Sequence, residues 1–295
     1  MAWISWAAVC IIWGTTYLGI KVALETVPPF LMGGLRYVTA GALLAIFLRA
    51  RGRSLPPVSD WGKIAVLSFF TLFAGNGGVV WGEQYIPSGL TAVFIATSPF
   101  WMVSVDALLP NGPKLHARQW AGLLVGFAGI LVLVWPDIAI GGATARNVII
   151  GAVSVQLACL GWAIGSAYTK RHVMPHDVLG PAAVQMMFGG VLMLAAGTAL
   201  GEWSRLSFTV RTGTTMIYLT VVGALVAFAA YSYALQHLNM AVVSLYSYVN
   251  PVIAVILGVL ILDEPFHTRM IVAAAVIVAG MVIVKQQEST GVKSA

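Results

Sequence analysis

The chain has 295 residues, of which 59% are hydrophobic and only 9% charged, with a formal net charge of +6. Average soluble domains carry about 25% charged residues, so a water-facing enzyme or nucleic-acid-binding domain is excluded and the bilayer is the solvent. The connections between apolar stretches leave no room for a soluble catalytic or nucleotide-binding domain, and no P-loop or dinucleotide fingerprint occurs.

A membrane span needs roughly 20 apolar residues. Ten stretches qualify: 3–23, 30–48, 62–82, 88–108, 118–135, 148–169, 178–200, 214–235, 240–261 and 268–284. The first lacks the basic start and small-residue cleavage site of a signal peptide and reads as a span. It holds Cys10, Trp13 and Tyr17 and ends near Lys21. Span two carries Arg36 about six residues in, roughly 9 Å deep at 1.5 Å per residue. Either this cation binds a carboxylate opposite the amide of Gln185 in span seven, or it snorkels to the interface or ties helices through carbonyls.

Span three holds Asn76 among Gly75, Gly77 and Gly78. An amide facing lipid would be unpaired, so Asn76 faces inward, where the glycines permit close approach. Span four contains Pro99 and Trp101, with Asp106 near its end, in reach of Lys114 or Arg118. Span nine contains Tyr246, Tyr248, Asn250 and Pro251. Each proline removes a backbone donor and frees a carbonyl one turn back, which must face protein or a water-lined space. Matching prolines therefore predict paired kinks around a central space, or simple packing bends. Asn250 either satisfies the freed carbonyl or contacts a ligand. Gly122–Gly126 and Gly161–Gly165 are GxxxG pairs, and Gly33–Gly34, Gly41 and Gly189–Gly190 add small residues for close helix contacts.

The second half of the chain repeats the first. An offset of 149 places Cys10 on Cys159, Trp13 on Trp162, Lys21 on Lys170, Arg36 on Gln185 and Gly41 on Gly190; 152 places Gln84 on Gln236 and Pro99 on Pro251; 151 places Arg118 on Arg269 and Gly129 on Gly280. The predicted units are 1–140 and 147–286, five spans each, followed by a polar tail, 287–295. An odd span count turns the second unit over, and inverted repeats mark secondary transporters with a site at the repeat interface. With both termini cytoplasmic, cytoplasmic connections hold ten basic residues against five opposite, as the positive-inside rule requires.

Trp3, Trp61, Trp135 and Trp203 suit interfacial belts. Trp13, Tyr17, Trp101, Trp162, Tyr231, Tyr246 and Tyr248 lie within spans instead. A Trp13–Trp162 pair would either stack on a planar apolar cargo or pack helices. Glu25, Asp60, Glu83, Asp137, Asp177, Glu202, Asp263, Glu264 and Glu288 fall at ends or in loops. No midplane carboxylate is present for cation–proton exchange, and Arg36 alone is too few cations for a phosphosugar. A neutral or zwitterionic solute fits best. His116, His172, His176, His237 and His267 read as loop or end residues, so no catalytic residue, metal or cofactor is expected. Cys10 and Cys159 read as small packing residues. A small-molecule substrate and the lipid bilayer are the expected partners, without nucleic acid, and one chain supplies a whole pathway as a functional monomer. An intramembrane enzyme and a channel are the other classes considered.

Trp13-Gly14 with Tyr17, the intramembrane Arg36, the fourth-span prolines Pro99 and Pro251, and the run Leu262-Asp263-Glu264-Pro265 before the Arg269 span resemble the drug/metabolite transporter superfamily, ten-span EamA type. The resemblance covers the whole chain. It implies an all-α integral membrane fold of ten helices as two inverted five-helix repeats, in a bacterial inner membrane. It is similar to the bacterial aromatic amino-acid exporters of the superfamily. The first repeat has Asn111-Gly112-Pro113 where the second has Asp263-Glu264-Pro265, so Glu264 is expected to act in a loop or as a helix cap. The candidate substrate-binding residues are Trp13, Tyr17, Arg36, Asn76, Trp101, Trp162, Gln185, Tyr246 and Asn250.

Overall fold

The computed structural model describes residues 1–110, 112, 115–172, 179–238, 243 and 246–291. Asn111, Pro113, Lys114, His176, Asp177, Lys293 and the start of the expected ninth span lie outside the described residues, as do the side chains of Lys170, Gln236 and Glu288.

Helices α1 (Ala2–Ala23) and α2 (Pro29–Ala50) are separated by a short turn, and Pro29 opens α2, where its missing N–H is no loss. Helix α3 (Val58–Ser68) starts after Pro57 and passes into a π-helical segment, Phe69–Asn76, then α4 (Gly77–Glu83). Pro87 precedes α5 (Ser88–Ile95), which is followed by α6 (Ser98–Leu108) and α7 (Ala117–Ile140). Gly141 and Gly142, at φ of 76° and 63°, reverse the chain into α8 (Gly142–His172) in a left-handed conformation that glycine adopts without a Cβ clash. Helix α9 (Leu179–Ala199) leads to a 3-10 turn, Glu202–Arg205. Then come α10 (Val210–Thr220), a second π-helical segment (Val221–Val226), α11 (Ala227–His237), α12 (Tyr246–Leu262) and α13 (Thr268–Gly291).

Eight helical stretches are long and apolar enough to cross a membrane, matching expected spans one to eight, and Tyr246–Leu262 and Thr268–Ile283 are shorter apolar helices. Leu124, Leu131 and Trp135 of α7 are among the large apolar side chains left exposed on the outside, as a lipid-facing surface requires.

Two seams dominate the packing: α2 runs along α9, and α7 along α13. Small residues bring the backbones together. A Cβ on Gly41 would stand 2.7 Å from the Ala183 oxygen, and one on Gly280 2.6 Å from the Gly122 oxygen. Alanine at either position would push the helices apart. Helix α1 packs on α10, α11 and α12, whereas α8 packs on α6, α4 and the first π segment. The first helix of each half thus lies among the helices of the other half. The turn between α7 and α8 is stapled to the start of α13: Arg269 donates twice to the Asp137 carboxylate, at 2.9 and 2.8 Å.

Three sequence expectations need correction. The fourth span is not one kinked helix. It breaks at Ala96–Thr97, and Pro99 sits in the first turn of α6, whereas Pro251 lies inside α12. Side chains satisfy the break: Ser98 Oγ donates to the Ile95 oxygen at 2.7 Å, the carbonyl that Pro99 leaves without its helical partner, and Thr97 Oγ1 donates to the Phe94 oxygen at 2.7 Å. The third and eighth spans are not regular helices, because each contains a π segment. Finally, Glu83 and Glu202 stand at element ends but are fully buried, not in open loops. Glu202 accepts from Leu31 N–H at 2.9 Å and Phe30 N–H at 3.5 Å at the start of α2, where a carboxylate is favoured by the helix dipole.

Candidate functional site

Trp13 lies near the middle of α1 and faces two tyrosines of the other half. Its ring centroid is 5.1 Å from that of Tyr231 on α11 and 4.9 Å from that of Tyr246 on α12, the latter edge-on. Tyr231 and Tyr246 meet edge to face at 6.0 Å. Such ring geometries are the favourable ones, so the three form a preset aromatic corner. Beside it the Tyr17 hydroxyl hydrogen-bonds the Asn250 side chain. With its amide oriented by its surroundings, Asn250 donates to the main-chain oxygens of Cys10 and Tyr246, both at 3.0 Å. The proline one residue on frees the Ser247 carbonyl, so Asn250 serves a different purpose: it ties α12 to α1. Cys10 and Cys159 are free and buried.

Trp162 of α8 does not meet Trp13. It lies against Gly75 in the first π segment, where an added Cβ would stand 3.5 Å from its ring. The counterpart of the Trp13 corner is built from other residues. At the α5–α6 break, Gln156 of α8 accepts from Trp101 Nε1 at 2.8 Å and from Thr97 Oγ1 at 3.1 Å, and Ser98 Oγ lies 3.3 Å from Cys159 Sγ.

Arg36 is buried, with 5% exposed, which rules out snorkelling to an interface. Its guanidinium carbon stands 4.9 Å over the Tyr37 ring, and a Cβ on Gly223 in the second π segment would be 3.3 Å from its Nη2. Its Nε has no hydrogen-bond partner. Gln185 serves the first π segment: its Nε2 donates to Thr71 Oγ1 at 2.7 Å, and Asn76 Nδ2 donates to the Thr71 oxygen at 3.4 Å. Arg36 and Gln185 are 149 residues apart, and Thr71 and Gly223, the residues they pack on, are 152 apart. The expected cation and amide therefore do not face one another; each faces the π segment opposite. A π turn leaves backbone carbonyls out of the α-helical register, and such segments are frequent at functional sites.

The chemical inventory is one buried cation, several amides and hydroxyls, and a tri-aromatic corner. It suits recognition of a small polar solute with an apolar ring. Among the described residues no group of three His, Cys, Asp or Glu side chains converges on a possible metal site. Gln156, Thr71 and the buried Glu83 were missed in the sequence. A lone glutamine in the middle of an apolar span was the available signal for the first.

Comparison with known proteins points the same way. The model of the EamA-like transporter family matches residues 1–135 and again residues 149–285. The protein named "Uncharacterized inner membrane transporter YedA" of Escherichia coli (strain K12) is 36% identical, over 94% of this chain and 88% of its own. The "Probable amino-acid metabolite efflux pump" of the same strain is 26% identical, over 93% and 91%. A solved crystal structure, 21% identical, superposes with a TM-score of 0.67 over 97% of this chain and 98% of the other, and so shares the fold.

Proposed function

Since this chain belongs to the EamA-like transporter family, we propose that it exports amino acids, aromatic ones among them, or similar small neutral or zwitterionic metabolites across the bacterial inner membrane. The two halves act as inverted repeats that rock about a central cavity and expose it to one side at a time. The observation that carries the reading is the Trp13–Tyr231–Tyr246 corner, which offers aromatic faces in mid-span next to the Asn250 amide. Arg36 supplies the positive charge for a carboxylate. The efflux pump named above, similar over nearly its whole length, supports an amino-acid cargo and outward direction.

The test is counterflow in proteoliposomes holding the purified chain, with a panel of aromatic and aliphatic amino acids, a nucleoside, a sugar and an organic cation. Saturable exchange of labelled phenylalanine or tryptophan, stimulated by the same solute on the far side, supports the reading. Exchange restricted to another panel member would support a different metabolite or drug exporter in the same fold. Flux that neither saturates nor shows trans-stimulation would indicate a channel.

A further inference from the structure

Glu83 is the last residue of α4, is fully buried, and has no hydrogen-bond partner on either carboxylate oxygen. The closest cation does not serve it. Lys21 of α1 donates instead to the main-chain oxygens of Glu83 and Ile86, at 2.6 and 2.9 Å. The other charged or titratable groups facing Glu83 are Arg36 of α2, Tyr17 of α1 and Glu264, which follows α12. Glu264 is already engaged, accepting from Ser88 N–H at 2.8 Å, Ser88 Oγ at 2.9 Å and Gly89 N–H at 3.2 Å at the start of α5. On α8, the residues packed on neighbouring Gly82 are Gly151, Ser154 and Val155, none of them charged. The contrast with Glu202 is plain: that carboxylate, equally buried, has two backbone N–H donors.

We propose that Glu83 is a proton-binding site that governs closure of this end of the bundle. An ionised carboxylate with neither a donor nor water is strongly disfavoured, whereas the neutral acid is buried at far less cost. Glu83 is therefore held here as the acid. When α1 parts from the α4–α5 turn, water enters, the carboxyl O–H bond breaks and the proton passes to water. The carboxylate left behind faces Lys21, which has a third N–H beyond the two given to carbonyls. The closed form binds one proton more than the open form. Each unit rise in pH thus shifts the balance toward opening by up to about tenfold. In the proposed orientation this is the periplasmic end, so the gate reads the acidity outside the cell. The inference does not depend on which solute is carried.

The test uses the full chain in lipid nanodiscs. At pH 7 the infrared difference between wild type and Glu83→Gln should contain the carbonyl stretch of a protonated acid; carboxylate bands in its place overturn the proposal. Amide hydrogen exchange at Val22, Ala23, Tyr85 and Ile86, corrected for its intrinsic pH dependence, should lose protection in wild type by up to about tenfold per pH unit. It should be flat in Glu83→Gln. Equal pH dependence in the two proteins overturns the gate. If Glu83→Gln does not accumulate, wild type bearing carboxyl-labelled glutamate identifies the acid band by its isotope shift, and absence of that band is equally decisive. Neither readout involves cargo, so failure here leaves the transport reading standing, and failed counterflow leaves this one.

Discussion

The indole nitrogen of Trp101 donates at 2.8 Å to the same Gln156 oxygen that receives the Thr97 hydroxyl at 3.1 Å. One acceptor on α8 thus holds both sides of the α5–α6 break. Gln156→Leu would leave two partly buried donors without an acceptor, at about 1–3 kcal/mol for each group left unsatisfied. The variant is expected to lose thermal stability in detergent, and Gln156→Glu, which keeps an acceptor, to lose less. Equal melting of Gln156→Leu and wild type would remove the glutamine from this role.

Trp13→Ala takes one wall from the aromatic corner, and ring pairing contributes about 0.5–1.5 kcal/mol beyond area burial. Counterflow of aromatic cargo should fall roughly two- to tenfold relative to small aliphatic cargo. Trp162→Ala removes packing against Gly75 and should affect all cargo alike. The opposite pattern would move the recognition site to α8.

Arg36→Ala should impair transport of carboxylate-bearing solutes by purified protein more than of those without one. Arg36→Lys should restore only part of it, because a compact ammonium does not reproduce the planar fork of the guanidinium. Uniform loss across the panel in both variants would make Arg36 a packing residue between α2 and the second π segment.

Asp137→Asn weakens the two-bond staple to Arg269 and leaves a part-buried guanidinium without its counter-charge. Hydrogen bonds to charged groups contribute roughly 1.5–3 kcal/mol, so the melting temperature should drop. The exchanged pair, Asp137→Arg with Arg269→Asp, should recover most of it. No recovery would show that position, and not pairing, matters at this corner.

An alkaline phosphatase fused after Lys285 should be inactive and a cytoplasmic reporter at the same point active, because ten basic residues lie on the side assigned to the termini and five on the other. An active phosphatase fusion would reverse the orientation and put the Glu83 end of the bundle inside the cell.

Much of the fold was legible because lipid imposes it: apolar runs of fixed length became helices, prolines opened α2 and preceded α3 and α5, and the Gly122 and Gly161 motifs were used at helix contacts. Glu264 was read as a loop or helix-cap residue, and it does cap α5. The π segments were not legible. A change from α to π register alters which carbonyls are paired, not which residues are apolar, and here it depends on α8 backing onto Phe70 and Thr71 through Gly161 and Gly165. The partners of Trp13 and Trp162 were missed for a related reason. Internal offsets show which residues are equivalent, not which ones touch, and equivalent residues on α1 and α8 are each drawn to the opposite half.

That exchange of first helices has a consequence for biogenesis. Helix α1 leaves the ribosome first, yet its main partner α12 ends at Leu262, some 240 residues later. At about 5–20 residues per second the wait is roughly 12–50 s. Through that interval α1 sits in the bilayer with Thr16, Tyr17 and Lys21 still awaiting partners. Assembly cannot proceed one half at a time, and the nascent protein depends on insertase or chaperone shelter for its first helix until the ninth arrives.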